Sequence, residues 1–74
     1  MSDQLTLQKI VEQSFTRATE EPTIARWKSC SIVAGCTAIR LEADGYHFAA
    51  ACMEGVAEEA RRQMLAMMPQ AVRA

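Results

Sequence analysis

Two stretches of the chain carry apolar residues at helical spacing. Near the start, Leu7, Ile10, Val11, Phe15 and Ala18 fall on one side of a 3.6-residue repeat. Gln8, Lys9, Glu12, Gln13 and Arg17 fall mostly on the other. This predicts an amphipathic helix over Asp3 to Ala18, capped by Ser2 or Asp3, with its greasy side docked on the rest of the chain. Near the end, Met53, Val56, Ala57, Ala60, Met64, Met67 and Met68 make a second stripe, closed by Pro69. Glu54, Glu58 and Glu59 come early in it, Arg61 and Arg62 late. Acid-first order complements a helix dipole and offers a Glu58–Arg62 pair at i,i+4, so the pattern predicts a helix over Met53 to Met68. Gln70 to Ala74 reads as a frayed tail.

The middle of the chain alternates instead. Asp44-Gly45 sits between two alternating runs, a strong short-range hairpin signal, because a type I′ turn needs two residues tolerant of positive φ. A two-residue turn there sets Leu41 opposite Phe48, Glu42 opposite His47 and Arg40 opposite Ala49. Upstream, Ser29 to Ile39 is small, polar and β-branched with Gly35 inside it, a poor helix interior on propensity. Reading Ile24 to Val33 as a first strand and Ala34-Gly35 as a second turn gives a three-stranded meander. One sheet face collects Cys30, Ile32, Thr37, Ile39, Leu41, Tyr46, Phe48, Ala50 and Cys52. The other collects Trp27, Ser29, Ser31, Val33, Ala38, Arg40, Glu42, His47, Ala49 and Ala51. The two turns agree on one greasy face, and consistency of this kind is expected of a folding sequence. The expected fold is therefore α+β: helix, three-stranded antiparallel meander, helix, with both helices on one sheet face. The alternative is all-α, an N-terminal helix followed by a helical hairpin that dimerises as a bundle. There Thr19 would cap a second helix, Pro22 would sit in its first turn, and Ser31, Ala34, Gly35 and Ala38 would permit close helix approach.

Composition narrows the functional classes. With 74 residues the chain is one small domain, 1–74, too short to bury a large fraction of its surface alone, so a homodimer is expected. A net charge of −1 exerts no global pull on nucleic acid or an anionic membrane. The three cysteines form no pairing framework, no secretory signal is evident, and no apolar run reaches the ~20 residues of a membrane span. A reducing cytoplasm is the compartment these features suggest.

Candidate chemistry is sparse. His47 is the single histidine, so a histidine-based metal cluster within one chain is ruled out. Glu42 would orient it as a general base, but no oxyanion site accompanies the nearby Ser29 and Ser31. Cys30, Cys36 and Cys52 lack the spacing of a zinc or redox motif. No cofactor and no enzymatic activity are expected. Trp27 is the one large aromatic on an otherwise small sheet face that also holds Arg40, Glu42 and His47, a composition closer to an interface core than to a solvated surface. These four residues are the expected partner-binding site of a small non-enzymatic regulator, inhibitor or adaptor, of bacterial or phage type.

The order helix, three strands, helix resembles that of double-stranded RNA-binding domains, over most of the chain and without a shared motif. The resemblance implies nucleic-acid binding as the alternative function. Such domains carry a lysine cluster at the start of the last helix to reach phosphates, where this chain has Glu54, Glu58 and Glu59.

Overall fold

The computed structural model describes residues 3–69, with side chains from Leu5 onward. It contains three helices: α1 (Asp3–Glu20), α2 (Ile24–Ala43) and α3 (His47–Met67). Among the described residues there is no strand. The meander is thereby overturned, and with it the two sheet faces; the helical hairpin preceded by an N-terminal helix is the architecture. The stretch 70–74, expected to fray, lies outside the described residues.

The reason lies in the turn. Gly45 does take a positive φ, 89°, but Asp44 has φ −88° and ψ 1°, which a type I′ turn excludes. The dipeptide instead ends a helix. Gly45 N–H donates to the Glu42 carbonyl at 3.1 Å, and Tyr46 N–H reaches back to the Leu41 carbonyl at 2.9 Å. This 6→1 and 5→2 pair is a Schellman cap with glycine at C′. Both turn types require left-handed backbone at the glycine; they differ at Asp44, and the flanking packing decides between them.

That packing is helical. Trp27, Cys30, Ser31, Ala34, Thr37, Ala38 and Leu41 are the buried positions of α2, a 3-and-4 spacing along its whole length. Its start is defined by Thr23, whose hydroxyl accepts the Arg26 N–H at 3.0 Å. Thr19, a candidate cap, instead lies within α1, its hydroxyl donating to the Phe15 carbonyl at 2.9 Å. Pro22 separates the two helices, since the residue before a proline avoids helical backbone.

The third helix begins six residues earlier than the acid-first pattern suggested. Glu54, Glu58 and Glu59 therefore sit mid-helix. Dipole complementarity contributes only about 0.3–1 kcal/mol at an exposed site. Burial of Ala49, Ala50 and Met53 against α1 and α2 outweighs it. Glu59 is held instead by local pairs, with Arg62 and, at 2.7 Å, with Gln63. The pairing expected between Glu58 and Arg62 is made by Glu59.

α2 is the central element. It runs antiparallel to α3 and to α1, and its buried stripe divides into two clusters. Toward the α2–α3 turn, Val11 packs with Ala34, Ala38, Leu41, Ala49, Ala50, Met53 and Ala57. At the other end, Ala18 packs with Trp27, Cys30 and Ala60, flanked by Phe15 and Met64. Phe15 and Trp27 meet edge to face, ring centroids 5.4 Å apart at 76°, a favoured aromatic geometry. Among the described residues, seven of the twelve buried apolar side chains are alanines. Alanine seams let helices approach closely but bury little area each. The result is thin, with principal extents of 44 × 24 × 13 Å.

Candidate functional site

Of the four expected partner-binding residues, three come together and one does not. Arg40, Glu42 and His47 cluster around the Schellman turn that joins α2 to α3. The last turn of α2 carries Arg40, whose Nε donates to Asp44 Oδ2 at 3.3 Å. Across the turn, His47 Nδ1 lies 2.8 Å from Glu42 Oε1. The sequence paired Glu42 with His47 as cross-strand neighbours; the same two residues meet because a tight helix–helix turn returns the chain by five positions. Arg40, Asp44, Glu42 and His47 are all exposed, so the Arg40–Asp44 ion pair and the Glu42–His47 contact contribute little stability and remain available to a partner.

Trp27 lies at the opposite end of the molecule and is only 5% exposed. Its indole fills the space between α1 and α3, against Phe15, Ala18, Cys30 and Ala60. It belongs to the core and is not a surface anchor.

The exposed aromatics are elsewhere, at two positions that the meander assigns to its greasy face. Phe48 stands 85% exposed in the first turn of α3, next to the half-exposed Tyr46. Nine positions separate Phe48 from the buried Ala57, a half-turn around the helix, so its ring points away from α2. Leu5, 65% exposed, lies at the same end, because α1 is antiparallel to α2. Helical phase was the signal that could have found them: Phe48 is out of register with the stripe Ala49, Ala50, Met53, Ala57 and Ala60.

A pocket of about 540 Å3 opens between α1 and α2, lined by Ser14 and Ser29 hydroxyls and by Arg17, Glu20, Glu21 and Arg26. Arg26 pairs loosely with Glu21 at 3.9 Å across its mouth. His47, the single histidine, does not line it. No cluster of three or more potential metal ligands occurs among the described residues, and no described helix is long and apolar enough to cross a membrane.

The cysteines separate by environment. Cys30 is fully buried and Cys36 and Cys52 are exposed. Burial pushes the Cys30 thiol above its ordinary range, with the nearby Ser14 hydroxyl pulling weakly the other way. A thiol whose pKa is raised by folding stabilises the fold below its unfolded pKa. That contribution is lost as pH climbs through the folded value. Reaction with an aromatic disulfide reagent is therefore expected to show two fast thiols and one slow one. The slow thiol should be released only at the rate of unfolding. Three equally fast thiols would contradict the burial of Cys30.

Comparison with protein-family models, with curated proteins and with solved structures returned no match.

Proposed function

We propose that the chain is a non-enzymatic protein–protein interaction module, a small regulator, inhibitor or adaptor, that engages its partner with the α2–α3 turn end. Phe48 and Tyr46 serve as apolar anchors. Arg40, Glu42, Asp44 and His47 form the polar surround that fixes register. The exposure of Phe48 carries this reading. A phenylalanine on the outer side of a helix contributes nothing to the fold, yet buries more area against a partner than any alanine of the core. An aromatic anchor ringed by charges is the composition of a binding hot spot.

A photo-crosslinking side chain placed at Phe48 should capture the partner in the native cell, and the same group at Arg62 should not. Phe48→Asp should weaken the captured complex by about thirtyfold or more, the ~2 kcal/mol of a hot spot, with circular dichroism unchanged. Equal capture from both positions, or full affinity in the variant, would remove the turn end as the binding surface.

A further inference from the structure

We propose that a second face of the molecule, the side of the α2–α3 hairpin turned away from α1, receives a second copy of this chain. The two α3 helices lie antiparallel across a two-fold axis, and Glu58 of each copy meets Arg61 of the other.

The face is left bare by the way α1 docks. Val33 of α2 and Val56 of α3 pack against the cluster that holds Val11. Gly35 is two positions from Val33, and Glu54 and Glu58 are each two positions from Val56. Two positions are a turn of about 200°, which sets these residues across each helix from the valines, and no α1 residue lines the space they border. There a groove of about 300 Å3 runs along the seam. Gly35, Ala38 and Ala57 floor it, and Ile39, Glu54, Glu58 and Arg61 stand along its sides. Ile32, two turns before Ile39 on the same strip of α2, is 54% exposed and Ile39 is 73% exposed. The floor has no side chain long enough to hold another helix off.

Charge selects the occupant. Glu59 and Arg62, one position further round α3, pair with each other. Glu58 and Arg61 make no ion pair within the chain among the described residues. The acid precedes the base on one helix edge. An antiparallel copy of the same edge presents base against acid, and the two-fold makes the contact twice. Self-complementarity of this kind is what an isologous interface requires. Area agrees with it. A hairpin of ~20-residue helices offers a face ~30 Å long and roughly two helix widths across, about 600 Å2 in projection. A standard interface buries about 800 Å2 of accessible surface per partner, and a ridged face has more surface than its projection. Pairing also doubles a layer only 13 Å thick, covering both isoleucines.

The test is charge complementation in the full chain, read by sedimentation equilibrium and native mass spectrometry. The wild type should be a dimer. Glu58→Arg and Arg61→Glu should each weaken dimerisation by more than about tenfold, since each sets like charges against one another twice. Both positions are exposed, and each variant should keep its helical circular dichroism. An equimolar mixture of the two should form a heterodimer as tight as the wild type, because every acid again faces a base. A wild type monomeric at millimolar concentration overturns the proposal. So do single variants that dimerise normally, or a mixture that stays monomeric. Neither variant touches Tyr46 or Phe48, so partner capture by the turn end is scored separately and can stand or fall alone.

Discussion

Trp27→Ala is expected to lower the thermal midpoint by about 15 °C or more, with loss of helical circular dichroism at temperatures where the wild type is folded. Truncating a buried Trp costs about 3–5 kcal/mol, from the transfer term and the cavity it leaves. Here the cavity closes only as far as the flanking Phe15 and Met64 can move into it. The indole bridges α1 and α3 beside Ala18, Cys30 and Ala60, none of which can reach into the gap. Phe15 also loses its edge-to-face partner. Net stability for natural domains is about 5–15 kcal/mol and a chain this small sits toward the lower end, so one residue holds a large share of the total. The melts belong at one fixed protein concentration, because self-association would raise the midpoint. An unchanged midpoint would place Trp27 outside the core.

Ala34→Leu is expected to destabilise the fold by about 1–3 kcal/mol or more, for the opposite reason. Ala34 is fully buried where α2 meets both neighbours, in the cluster formed with Val11, Met53 and Ala57. A larger side chain there forces the helices apart along their seam. Ala51→Leu is the matched control, an exposed alanine on α3 where the same change should stay within about 0.5 kcal/mol. Urea titration should show a lower midpoint for Ala34→Leu and a near-native one for Ala51→Leu. Equal effects would mean the seam is not close-packed.

The outer helices were easier to read than the middle one. α1 carries a one-sided apolar stripe, and its expected span of Asp3 to Ala18 falls two residues short of the observed end at Glu20. The distal part of α3 was visible for the same reason. α2 was misread because its sizes are inverted. Between Trp27 and Leu41 its inward positions are small, Cys30, Ser31, Ala34, Thr37 and Ala38, while the large Ile32 and Ile39 face out. A search for large apolar residues therefore finds alternation where helical phase is present. Propensity pointed the same wrong way. Gly35 in a helix interior costs about 1 kcal/mol and the β-branched residues a few tenths each, sums that tertiary burial readily outweighs. Asp44-Gly45 announced a left-handed residue but not which element it would end. At the candidate site, the partnership of Glu42 with His47 was legible from spacing even though the sheet that was to carry it is absent. Trp27 and Phe48 exchanged places, because a five-residue run such as Phe48 to Cys52 reads equally as strand or helix until a longer stripe fixes its phase.

The inverted sizes of α2 uncouple the fold from whatever its surface touches. The residues that hold the helices together, an alanine seam with Val11, Trp27, Leu41 and Met53, are buried and reach nothing beyond the core. Those with reach, Ile32, Ile39 and Phe48, support no part of the core. Substitutions at the outer positions can therefore retune or abolish recognition while the scaffold keeps its shape. Such a chain can change its associations by single steps without passing through an unfolded intermediate sequence.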